Sequence, residues 1–148
     1  MIWQVLLAAL ALSACVVCIH ATGTYVNLHW MMRSLKNRPP TSVARSWGLI
    51  VRLVVLLLIM HSLEVALWSE FYTWLHCFPD RATAYYYSLV TYTTLGYGDV
   101  LLPRPWRFLG GWEAMTGVLM FGWSTATLMS FIHHVQSASI GKYFATDE

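Results

Sequence analysis

Thr93-Thr94-Leu95-Gly96-Tyr97-Gly98-Asp99 stands between two apolar segments long enough to cross a bilayer. Non-helical chain is tolerated in hydrocarbon only where it is buried in protein or lines a polar cavity, because its backbone groups must find partners. A glycine-containing strip in that setting therefore needs a reason. Replacing the water around a bare cation with carbonyl oxygens is one. Gly96 and Gly98 accept positive φ, which lets successive carbonyls turn to one side; a regular β-strand would alternate them. One copy of the strip surrounds nothing. Four copies about an axis stack rings of oxygens from Thr94, Leu95, Gly96 and Tyr97, with the Thr94 hydroxyls innermost, so a chain acting alone is expected to form a homotetramer. The Leu95 and Tyr97 side chains are then expected to point away from the ions and pack against the preceding short helix.

Composition supports a membrane setting. The chain has 148 residues, is 57% hydrophobic and carries nine basic and seven acidic residues, far fewer charges than a soluble domain of this size. Eight Trp and eight Tyr suit rings at the headgroup level. The three cysteines form no disulfide framework: Cys15 and Cys18 lie in an apolar run, and Cys77 lies in a polar connection as a free thiol or an interchain disulfide partner.

Outward from the strip, the pattern gives an all-α membrane protein with three transmembrane helices and a re-entrant half-helix. Residues 1–28 read as a first membrane helix, apolar from Ile2 to Ile19; no basic residue precedes it, which disfavours a cleaved signal peptide. Residues 29–47 read as a basic loop interrupted by Pro39-Pro40. A second membrane helix follows over 48–68, a short aromatic helix over 81–93 capped by Asp80, the strip over 94–99, a third membrane helix over 108–132, and a short tail over 133–148.

Arg33, Lys36, Arg38, Arg45 and Arg52 cluster between the first two spans, so the positive-inside rule puts that loop in the cytoplasm. The N-terminus is then outside and the C-terminus cytoplasmic, in a plasma or inner membrane. The basic loop is suited to contact anionic lipid.

The strip, in this setting, resembles the selectivity filter of the potassium channel family, whose commonest form is Thr-Val-Gly-Tyr-Gly-Asp. The resemblance covers about Gly48 to Ile132, a two-helix pore domain with a re-entrant filter, here with one additional N-terminal helix. It implies K⁺ held by the carbonyls of Thr94, Leu95, Gly96 and Tyr97 and the Thr94 hydroxyl. It also implies a supporting set of Thr93, Gly98, Asp99, Tyr86, Tyr87 and Val90. Asp99 would hydrogen-bond toward an aromatic residue of the pore helix, where Tyr86 and Tyr87 match a pair that is usually Trp. Leu95 replaces the usual Val. Val90 stands where some members carry a glutamate.

In the third span, the resemblance implies a hinge glycine, for which Gly117 and Gly122 are the two candidates, and small residues there also serve close helix packing. Thr116, Ser124, Thr125, Thr127 and Ser130 supply hydroxyls, some for a water-filled cavity and others for carbonyls one turn back. Phe121, Leu128 and Phe131 read equally as constrictions or as packing. Glu64 and Glu113 are membrane-embedded carboxylates, modulatory by default, and each is also open to a plain hydrogen bond with Tyr or Trp. His61 and Glu64 share a helix face and can pair.

No arginine repeat of a voltage sensor is present. No catalytic motif or resident cofactor is evident, so an enzyme is not expected, and nothing points to nucleic acid. The expected function is a passive K⁺-selective channel with no cofactor beyond permeant K⁺. The alternatives are a weakly selective or nonselective monovalent cation channel, or a non-conducting scaffold that needs a partner subunit. No regulatory partner can be named.

Overall fold

Three long helices and one short one make up the architecture of the computed structural model, which describes residues 2–37 and 43–144. They are α1 (Ile2–Asn37), α2 (Val43–Trp74), α3 (Arg81–Tyr92) and α4 (Arg107–Phe144), with a 3-10 turn at Arg104–Trp106 leading into α4. No strand occurs among the described residues. At about 1.5 Å per residue, α1, α2 and α4 each outrun the roughly 30 Å hydrocarbon layer, whereas the 12 residues of α3 reach only partway. Three helices are long and apolar enough to span a membrane: Trp3–Asn37, Ala44–Trp74 and Arg104–Ser137.

The helices extend further than the sequence reading placed them. Local sequence explains why. Nothing between Ile19 and Asn37 breaks a helix except Gly23, so α1 runs through the start of the expected basic loop, and α2 begins at Val43 rather than Gly48. Residues 38–42, Arg38, Pro39 and Pro40 among them, lie outside the described residues. The third span likewise continues past Ile132 to Phe144, so most of the expected tail is helix.

The end of α2 is set by backbone geometry. His76 adopts φ 54, with its N–H donating to the Thr73 carbonyl and that of Cys77 to the Tyr72 carbonyl, both at 3.0 Å. That pair of bonds is a Schellman termination, here with histidine in the place glycine usually takes. The chain then turns back into α3. Its N-cap is Asp80: one carboxylate oxygen accepts from the Thr83 N–H at 2.8 Å and the other from the Thr83 hydroxyl at 2.9 Å. These bonds hold the Asp80 carboxyl below the ordinary aspartate range.

Packing divides the bundle into three layers. At the α3 end, Val5, Ala9, Leu12 and Val16 of α1 meet Val65, Trp68 and Tyr72 of α2, Tyr92 of α3, and Leu109 and Met120 of α4. At the opposite end, Met31 packs with Leu49, Leu53, Leu57, Met60, Phe131 and Val135. Between them lies a buried polar layer that includes His20, His61, Glu64 and Ser124. Here α3 sits between α2 and α4, and α1 closes the other side against the same two helices. Arg52 lies with its guanidinium 3.1 Å from the Trp30 ring centroid, a cation–π contact at the basic end.

Candidate functional site

The strip begins where α3 stops. Thr93 closes that helix: its N–H and its hydroxyl both reach the Leu89 carbonyl, at 3.2 and 2.6 Å. The Thr94 N–H donates to the Thr91 carbonyl at 2.9 Å and the Gly96 N–H to the Val90 carbonyl at 3.2 Å, so the strip is anchored to the last turn of α3.

Within it, positive φ recurs at every second residue: Thr94 at 62°, Gly96 at 54° and Gly98 at 77°. Alternating backbone handedness turns successive peptide units so that their carbonyls can share a face, as the two glycines suggested. Thr94 was not foreseen. A β-branched residue at positive φ is a genuine outlier that costs on the order of 1–3 kcal/mol, and such strain persists where the surrounding structure imposes it.

Behind the strip, the Tyr86 hydroxyl donates to Asp99 Oδ2 at 2.7 Å. That bond is the main reason the Asp99 carboxyl lies below its ordinary value. Tyr87 borders a groove behind the strip, but its ring packs against the bundle. Its ring meets Phe78 and Tyr72, with centroids 5.0 and 5.5 Å apart, and a Cβ at Gly110 would collide with its hydroxyl. Of the aromatic pair, Tyr86 therefore meets Asp99 and Tyr87 packs α3 against α2 and α4. Val90 is buried and, with Tyr86, Gly96, Gly98 and Asp99, lines the same groove, of about 170 Å³. The Leu95 and Tyr97 side chains are 58% and 67% exposed in the single chain.

Glu64 and Glu113 are both fully buried. Tyr72 donates to Glu113 Oε2 at 2.8 Å, and the buried Ser88 hydroxyl lies beside the same carboxyl. Glu64 accepts on Oε1 from His20 Nδ1 at 2.8 Å, and on Oε2 from His61 Nδ1 at 2.9 Å and from the Tyr92 hydroxyl. Ser124 stands behind both rings, its Oγ 2.9 Å from His61 Nε2 and 3.4 Å from His20 Nε2. Sequence reasoning found the His61–Glu64 pair but not His20, Tyr92 or Ser124 as its partners. The signal for His20 is a lone imidazole immediately after the apolar run that ends at Ile19.

The two hinge candidates differ. A Cβ at Gly117 would collide with the Tyr92 carbonyl oxygen, whereas one at Gly122 would meet nothing within 4 Å. Gly117 is thus a close-approach glycine between α4 and α3. Phe131 is buried in the core at the basic end, and Phe121 packs at a tilt against His61 and edge-on to Tyr92, with centroids 4.6 and 5.6 Å away, so both serve as packing residues. Thr116 and Thr125 donate to carbonyls one turn back, at 2.9 and 2.8 Å, and Thr116 also meets Ser13 of α1 at 2.9 Å.

A short re-entrant helix, a strip of alternating handedness and two flanking membrane helices together define a pore domain. The family model described as "Ion channel" matches residues 51–134, more than half of the chain, with α3, the strip and most of α2 and α4 inside the match. The chain belongs to that ion-channel family and is an integral membrane protein. No curated protein and no solved structure matches it.

Proposed function

We propose that four copies of this chain form a K⁺-selective channel, with Thr94, Leu95, Gly96 and Tyr97 of each copy presenting carbonyls to dehydrated K⁺ on the fourfold axis. The observation that carries this reading is the positive φ at 94, 96 and 98, an alternation that a loop with no ligand to coordinate has no reason to sustain at a threonine. The exposure of Leu95 and Tyr97 also supports it, since both residues have room to be covered by a neighbouring copy. Asp99, held by Tyr86, braces the outer end of the strip.

The basic ends of α1 and α2 lie opposite the strip, which supports a cytoplasmic loop between them and an outward-facing filter mouth. With Gly117 wedged against Tyr92, Gly122 is the position at which α4 is free to bend.

The test uses purified protein in K⁺-loaded liposomes. A K⁺ gradient is expected to drive a flux that Na⁺ does not replace and that Gly96→Ala abolishes. Equal K⁺ and Na⁺ flux would favour a nonselective channel. No flux from a confirmed tetramer would contradict the proposal.

A further inference from the structure

The buried polar layer contains one group whose hydrogen-bond accounting does not close. Glu64 as a carboxylate can only accept, so each imidazole that faces it must carry its proton on Nδ1. A neutral His20 and a neutral His61 then both present a bare Nε2 to the same partner, the Ser124 hydroxyl. That hydroxyl has one hydrogen. One buried imidazole nitrogen is left without a proton between it and its neighbour, inside a membrane-spanning bundle where such a deficit is costly.

A cation on the Nδ1 side removes the deficit. With a metal ion ligated by His20 Nδ1, His61 Nδ1 and a Glu64 oxygen, both rings become Nε2–H tautomers, and both can donate to the two lone pairs of Ser124 Oγ. A metal-bound histidine almost always places its second N–H on an acceptor of this kind. One ligand atom from each of the three residues already lies within 4.8 Å of the other two, and all three residues are buried. The Tyr92 hydroxyl donates to Glu64 Oε2, the oxygen that also faces His61, and helps to hold the carboxylate in place.

We infer that His20, His61 and Glu64 form a binding site for a divalent first-row transition ion. Two imidazoles and one carboxylate are a donor set that suits zinc and its neighbours, whereas calcium and magnesium take oxygen ligands. The ion would fasten α1, which contributes His20, to α2 of the pore domain. It would also act on Tyr92, which immediately precedes Thr93. The inference does not depend on which ion the pore conducts.

The experiment is a metal count on the full chain, expressed in zinc-supplemented medium so that the enclosed site can load during folding, and purified in detergent. About one zinc per chain is expected in the wild type by elemental mass spectrometry. His20→Ala, His61→Ala and Glu64→Gln are each expected to lose it while eluting at the wild-type volume. Ser124→Ala leaves the ligands intact and removes only the acceptor behind the rings. It is expected to retain the metal with about 10–100-fold weaker affinity. Cobalt in place of zinc is expected to give the visible absorption of a low-coordinate site, and Glu64→Gln is expected to alter it.

A zinc-grown wild type holding well under one zinc per chain would overturn the proposal. That reading needs no variant to be stable, because the wild-type count alone can fail. Metal content unaffected by Glu64→Gln would place the ion elsewhere and overturn it too. So would a melting temperature that responds to acid but not to zinc, since a proton would then be the cation that closes the count.

Discussion

The hydroxyl of Tyr92, the last residue of the re-entrant helix, donates to Glu64 on the helix before it, across 28 residues of sequence. The residue that immediately precedes the strip is thereby tied to a buried carboxylate, and on its other side its carbonyl presses against Gly117 of α4. The strip is held from both neighbouring spans.

Tyr92→Phe keeps the ring packing against Phe121 and removes one of the three donors to Glu64. A buried carboxylate short of one donor costs on the order of 1–3 kcal/mol. The variant is expected to melt at a visibly lower temperature than the wild type in detergent. An unchanged melting temperature would mean that the contact contributes nothing to stability.

Gly117→Ala and Gly122→Ala are expected to diverge. The first forces a methyl against backbone, which cannot swing aside as a side-chain tip can, so α4 or α3 must shift at a cost of about 1–3 kcal/mol. The second meets open space and replaces a poor helix former, a change expected to be neutral or stabilising by up to about 1 kcal/mol. Thermal melts of the two variants side by side check this, and equal losses would contradict it. Single-channel recording adds a separate readout, because a stiffened Gly122 is expected to shorten openings even where stability is unchanged.

Tyr86→Phe and Asp99→Asn remove the same 2.7 Å hydrogen bond from its two ends. Both are expected to change the decay of open-channel current in the same direction; unchanged kinetics in both would count against a bracing role. Acid provides a further check. The Tyr86 bond lowers the Asp99 carboxyl from its usual 3.8, so its contribution is present above the unfolded value and is lost only as pH falls through the lower folded one. Decay kinetics that depend on this bond are therefore expected to stay constant from about pH 7 to about pH 5. A change within that window, absent in Tyr86→Phe, would contradict the assignment.

Much of this molecule was legible in its residues because the determinants are local. Apolar runs of membrane length, Asp80 three residues before Thr83, and Gly96-Tyr97-Gly98 each act over a few positions. What was not legible depends on contacts between elements. His20 looks like one polar residue at the end of an apolar run until α1 packs against α2 and brings it to Glu64. Gly117 and Gly122 are equivalent in sequence, and only the placement of the Tyr92 carbonyl separates them. Positive φ at Thr94 accompanies the bonds that anchor the strip to the last turn of α3, and it is not a conformation that threonine itself favours. The helix ends were underestimated because hydropathy falls off at the membrane boundary while helical hydrogen bonding does not.

The central claim is that a ring of carbonyls at Thr94 to Tyr97 prefers K⁺. A reversal potential measured with K⁺ on one side of the membrane and Na⁺ on the other tests it most directly, since each tenfold preference moves that potential by about 59 mV. A displacement of that size or more in the direction of K⁺, lost in Gly96→Ala, is the predicted result. A reversal potential near zero from the wild-type channel would contradict the account.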